Sequence, residues 1–232
     1  MGEAHIDYHI KAFLEELNTY KHYFDITFKE QERLAKEIEE KHDAIAVGFD
    51  YENYDDGIVW SLAHKDILGS HEVWITEHEL FIIGGYCIII FHAFERFLEE
   101  VFDMIAKRNL SAMLKNAVST DQKRVIKKVL REDKLDRFIS FCNIFPSVKT
   151  ITTYKKVDEI RIICNVFKHG RGGSLELLKK IRPDITKPLT ELASFKELSR
   201  PFRGHSLNVK REMLYEYMDA IKAFLFEVFD VK

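Results

Sequence analysis

The chain has 232 residues, 46% hydrophobic and 31% charged, a balance that excludes disorder for its bulk. Ten Gly and four Pro stand against 18 Phe and 9 Tyr, which disfavours collagen-like, Gly-rich and many-turned β-sandwich architectures and favours long helices. The formal net charge of −3 averages over a marked asymmetry. The first fifty-odd residues are acidic, with Glu30, Glu32, Glu37, Glu39, Glu40 and Asp43 in one stretch. In the middle, Lys107, Arg108, Lys115, Lys123, Arg124, Lys127, Lys128 and Arg131 are opposed only by Asp121, so a polyanion partner is compatible with the acidic total. A solvated, lysine-bearing helix face is the plainer reading of the same charges.

In chain order, the N-terminal MGEAHIDYHI lacks the basic and apolar regions of a signal peptide, and Ile6 occupies the position where myristoylation wants Ser or Thr. Residues 4–42 carry the 3.6-residue period of one long or broken helix, with Ile6, Ile10, Phe13, Leu14 and Leu17 on one stripe and Phe24, Phe28, Leu34 and Ile38 beyond. Residues 44–75 break the pattern, and the Asp55-Asp56-Gly57 turn between short apolar runs allows a small hairpin or an irregular excursion.

Thr76 and Glu79 have the spacing of a capping box, opening a helix expected to reach about Arg108. Its apolar run, Phe81 to Phe94, is bounded by Glu77, Glu79, Glu95 and Arg96 and reads as a core helix, too short to span a bilayer. Ser119 to Gln122 opens a basic helix over 121–131, and Asp133–Phe145 forms another, stopped by Pro146. Residues 152–169 form a helix ending in a Gly-rich turn, Gly170 to Ser174. A short helix follows from Ser174 to Pro183, then an irregular segment with Pro188 and Pro201, then a last helix from about Asn208 to Phe229.

The expectation is an all-α protein, divided into an acidic helical arm and irregular excursion over 1–75 and a helical domain over 76–232. Cys87, Cys142 and Cys164 are odd in number with no C-x-x-C spacing, which points to a reducing cytoplasm.

The helix from Asp158 to His169 carries the chemistry. Arg161, Asn165 and His169 recur at i, i+4 and i+8 and fall within an arc of about 80°, with Lys168 beside it and Cys164 at its edge. Ile160, Ile162, Ile163, Val166 and Phe167 take the opposite side. Glu159 falls among them, so it either frays to solvent or is a buried carboxylate with a partner elsewhere.

Arg and Lys neutralise phosphate oxygens, Asn orients one, and imidazole moves protons near neutrality. RNA supplies its own nucleophile, the 2′-hydroxyl, so these groups suit a metal-free cleavage leaving a 2′,3′-cyclic phosphate. The same residues also describe an amphipathic helix with a basic solvent face, a Gly C-cap, and Lys and His favoured by the macrodipole.

The segment EIRIICNVFKHG, Glu159 to Gly170, resembles the signature helix of the HEPN superfamily (higher eukaryotes and prokaryotes nucleotide-binding). The family motif is an Arg, commonly followed at once by a polar residue such as Asn, then His after four to six intervening residues. Asn165 and His169 match the Asn and His; Cys164 stands at the Arg position, and the nearest Arg, Arg161, lies one turn earlier. The run N-x-x-K-H-G with Ser174, Leu178 and Pro183 beyond resembles a set of uncharacterised bacterial HEPN-like proteins. The helix with Phe94 to Glu99 looks like the family's other core helix, which often carries an acidic residue facing the motif.

This resemblance, covering roughly 78–230, implies an HEPN-like helical bundle with an N-terminal helical extension. It also implies RNA binding or metal-independent endoribonuclease activity in a bacterial toxin or antiphage defence setting. Catalysis would rest on His169, Arg161 and Asn165, and RNA binding on Lys168, Arg171, Lys123, Arg124, Lys127 and Lys128. No metal or other cofactor and no membrane are expected. A homodimer is expected to pair two copies of His169 in one cleft, with Cys164 near its symmetry mate, and the setting implies an antitoxin or defence-system partner.

The alternative is a non-catalytic HEPN-like module for interaction or dimerisation. Arg161 separates the two: reaching the His169 face, it replaces the missing motif Arg, whereas pairing with a local acid such as Asp158 it leaves that role unfilled and favours the non-catalytic module. Other constellations are weaker. His5 and His9 lack a third ligand, His64, His71 and His78 lack metal-site context, and Gly170 to Ser174 follows a helix instead of opening one as a phosphate loop does.

Overall fold

The computed structural model describes residues 3–47, 78–101, 146–170, 172–186 and 207–229, together with Met104, Thr120, Lys123, Phe138 and Cys142. Among these residues 92% are helical and none is in a strand, as the apolar period and scarce breakers require. The helices are α1 (Glu3–Val47), α2 (His78–Val101), α3 (Tyr154–His169), α4 (Gly173–Ile181), α5 (Pro183–Thr186) and α6 (Arg211–Phe229), with a 3-10 turn at Pro146–Thr150. The hairpin or excursion after Val47, Thr76 of the capping box and the basic helix over 121–131, apart from Lys123, lie outside the described residues.

α1 is one continuous helix. Ile10, Phe13, Leu17, Phe24 and Phe28 share one stripe and are all buried. Phe13 stacks on Phe97 of α2 at 4.7 Å between ring centres, and Phe24 meets Tyr86 of α2 at 5.0 Å and Tyr215 of α6 at 5.3 Å. Residues rising along α1 meet residues falling along α2 and α6, so α1 runs antiparallel to both. Polar contacts follow the same register: Thr27 Oγ1 lies 3.0 Å from Tyr86 Oη, Arg96 Nη2 donates to Glu16 at 3.3 Å, and Arg211 Nη1 donates to Glu32 at 2.6 Å. The first seven turns of α1 thus belong to the same core as the other described helices. Beyond Phe28 the helix turns mostly to solvent, where Arg33 pairs with both Glu30 and Glu37.

α2 exceeds the apolar run that announced it. At 24 residues it is long and apolar enough to cross a membrane by length and composition, while 44% of its most apolar window is buried inside the protein. Cys87, Ile90, Phe91, Phe94 and Leu98 supply its core face. Phe94 meets Phe138 at 5.8 Å and Phe224 of α6 at 5.9 Å, and Phe138 stacks on Tyr154 at the start of α3. That aromatic centre joins α2, α3 and α6.

α3 presses closely on α2. A Cβ added at Gly84 would stand 2.7 Å from the Phe167 ring, so only glycine admits this approach. α3 ends where Gly170 takes φ 69°, a backbone conformation open to glycine at little cost, and its N–H donates to Val166 O at 2.7 Å. The chain then reverses into α4, which buries Leu175 and Leu178.

Candidate functional site

The apolar side of α3 is as the spacing predicts, with Val157, Ile160, Ile162, Ile163 and Val166 buried. Cys164 is buried with them, at 0% exposure, which corrects its expected place at the rim of the polar arc. Burial pushes its thiol up to about 11, against the lowering effect of the nearby Lys168 ammonium, so it is a poor nucleophile at neutral pH. The position where the family motif carries Arg therefore points into the core in this chain.

Arg161 does not stand open on the polar face either. Its side chain is only 14% exposed, and Nε donates to Asp158 Oδ1 at 2.7 Å, one turn toward the N-terminus and away from His169. Asn165 is half-buried, while Lys168 and His169 are exposed in the last turn, where cations complement the helix dipole. Of the expected RNA-contacting cations, Lys123 is an exposed helical residue; Arg171, Arg124, Lys127 and Lys128 lie outside the described residues.

α2 adds two groups to this pole. His92 Nε2 lies 3.4 Å from Lys168 Nζ, and His92 Nδ1 lies 3.4 Å from Glu95 Oε2. Glu95 also acts electrostatically on Cys164, opposite in sign to Lys168. An acid of α2 thus borders the α3 pole. The i, i+3 spacing of His92 and Glu95 signals their pairing in the sequence; their meeting with Lys168 depends on the crossing of two helices 76 residues apart.

A second polar cluster surrounds Glu159. Its carboxylate, 12% exposed, accepts from Tyr217 Oη of α6 at 2.6 Å, from Lys156 Nζ at 3.5 Å and from Arg182 Nη1 at the end of α4. Arg182 also grips Asp184 at the start of α5, with Nη2 to Oδ2 at 2.7 Å, and Lys156 reaches Glu216 at 3.0 Å and the Tyr217 ring at 4.8 Å. Burial and the Glu159 carboxylate hold the Tyr217 phenol far above its usual range, and Arg182 holds the Asp184 carboxyl below its own. Of the two alternatives for Glu159, the buried, partnered carboxylate is the one observed. The cluster ties α3, α4, α5 and α6 together, with Lys156 and Arg182 each paired to two carboxylates, as in a structural node.

The site's chemistry is thus an exposed ammonium and imidazole from α3, an amide beside them, and an imidazole–carboxylate pair from α2. His9, of the pair near the N-terminus, faces Glu100 of α2 at 3.7 Å. No protein-family model, curated protein or solved structure matches this chain.

Proposed function

We propose that this is an RNA-binding protein of HEPN type, acting as a metal-independent endoribonuclease in a bacterial toxin or antiphage defence setting, in the cytoplasm and away from membranes. The observation that carries the reading is the cluster at the end of α3, where exposed Lys168 and His169 follow Asn165 and Lys168 meets His92. An ammonium there suits a non-bridging phosphate oxygen, and an exposed imidazole suits proton transfer to or from a ribose oxygen.

The test is incubation of the purified protein with total RNA and tRNA in EDTA. Cleavage should survive the chelator, leave 2′,3′-cyclic phosphate ends, and fall by at least about a hundredfold in His169→Ala, the loss expected on removing a general acid or base. Metal dependence or full activity of that variant removes His169 from the mechanism. A homodimer that brings two α3 poles together is part of this reading and should sediment as such at micromolar concentration; so is an antitoxin or defence-system partner protein.

One observation favours a second reading, a non-catalytic helical interaction module. Arg161 is tied to Asp158, and Cys164 is buried where the motif Arg is expected, so among the described residues no arginine is open at the pole. Absence of cleavage on every RNA, with a stable dimer or captured partner, selects this reading.

A further inference from the structure

Resting on the RNA-cleaving reading above, we infer that His92 of α2 accepts the proton of the RNA 2′-hydroxyl, with His169 donating a proton to the leaving 5′-oxygen. Strand scission needs one group to take a proton and another to give one. The polar face of α3 has a single imidazole, and His92 brings a second to the same pole from within the same protomer.

The geometry of His92 is that of an oriented base. Its ring lies between Glu95 Oε2 and Lys168 Nζ, each 3.4 Å from a different ring nitrogen. The Glu95 side chain is 13% exposed and the His92 side chain 48%, so a largely buried carboxylate backs a half-exposed imidazole. Placing the proton on Nδ1, toward Glu95, leaves the Nε2 lone pair facing Lys168, and it is released to a ligand when the ammonium turns to a phosphate. A phosphate held by the Lys168 ammonium then has its neighbouring 2′-hydroxyl next to Nε2. His169 is the next residue after Lys168, about 100° further round α3.

In the reaction Nε2 takes the 2′-hydroxyl proton as O2′ bonds to phosphorus. The bond from phosphorus to O5′ breaks, and imidazolium His169 protonates the departing oxygen. The products are a 2′,3′-cyclic phosphate and a 5′-hydroxyl. His92 is left protonated and His169 neutral, and exchange with water restores both.

The experiment compares wild type, His92→Ala and His169→Ala in EDTA, each with RNA affinity measured by gel shift and helix content by circular dichroism. Two substrates are used: a short RNA, and the same RNA with sulfur replacing the 5′-bridging oxygen, a leaving group that needs no acid. On ordinary RNA both variants should lose at least about a hundredfold in cleavage rate. On the sulfur-bridged RNA His169→Ala should recover and His92→Ala should not, while added imidazole should partly restore His92→Ala. Wild-type rates for His92→Ala overturn the inference and leave the RNA-cleaving reading intact. Recovery of His92→Ala on the sulfur substrate, or loss of its RNA affinity without rescue by imidazole, also overturns it. No cleavage by wild type on either RNA overturns the underlying reading and the role of His92 together.

Discussion

Tyr217 and Glu159 show how one polar contact can hold several helices. The phenol is fully buried and donates at 2.6 Å to a carboxylate that already serves Arg182 and Lys156. Tyr217→Phe removes that donor and should destabilise the protein by about 1–3 kcal/mol in urea unfolding. The tyrosine is favoured in its neutral form when folded, since burial first and Glu159 second raise its titration point. Its contribution is therefore complete below the unfolded tyrosine value of about 10 and is lost as pH rises beyond that. The stability gap between wild type and Tyr217→Phe should narrow above about pH 10; a gap that widens there contradicts the assigned contact.

The cysteines make a second test at single side chains. All three are buried, and burial raises the thiols of Cys87 and Cys164. Native protein should resist aromatic disulfide reagents at neutral pH, and all three thiols should react once urea unfolds it. Rapid labelling at Cys164 itself, read by peptide mapping of the folded protein, would place that side chain back at the surface.

The crossing of α2 and α3 depends on Gly84 and not on its neighbour Gly85, which has unlike surroundings. At Gly84 an added Cβ meets Phe167 ring carbons at 2.7 and 2.8 Å, whereas at Gly85 nothing lies within 4 Å. Alanine is preferred over glycine in a helix by roughly 0.5–1 kcal/mol. Gly85→Ala should therefore stabilise by up to that amount, while Gly84→Ala should cost about 1–3 kcal/mol by forcing the ring aside. Combining Gly84→Ala with Phe167→Ala should abolish the Gly84 penalty. If thermal unfolding shows the two alanine variants moving together, the close approach at Gly84 is wrong. This crossing also places His92 against Lys168, so a shift at Gly84 should weaken the pole without touching its residues.

At the level of the whole chain, α1 is a structural member of the core and only its later turns behave as an acidic arm. Phe13 and Phe24 are buried against rings of α2 and α6, and the buried Phe28 ring packs on Phe24 with Arg211 of α6 4.6 Å over it. Phe24→Ala should cost about 3–5 kcal/mol, the range for deleting a buried ring. A chain lacking residues 1–40 should expose the faces of α2 and α6 that hold Phe97, Tyr86 and Tyr215, and should lose its near-ultraviolet circular dichroism. Retention of a native signal by that truncated chain would show that the later helices form a core without α1. Charge substitutions at Glu30, Arg33 and Glu37 should leave unfolding nearly unchanged, because those pairs are exposed to water.

Helical class was legible in the residues, because a 3.6-residue apolar period with scarce Gly and Pro leaves the backbone one regular conformation that buries its stripes. The inward side of α3 was legible for the same reason, as was the stop at Gly170. Membership of Cys164 in the core was not, since a residue at the rim of an arc is buried or open according to which helix lies beside it, and here α2 does. The partners of Glu159 come from α4 and α6, and His92 reaches Lys168 from α2; side chains far apart in sequence meet only through helix crossings that no local pattern encodes. Arg161 is the sharpest case. Its spacing put it in one row with Asn165 and His169, but a side chain that long can turn either way along its helix, and the acid three residues earlier took it.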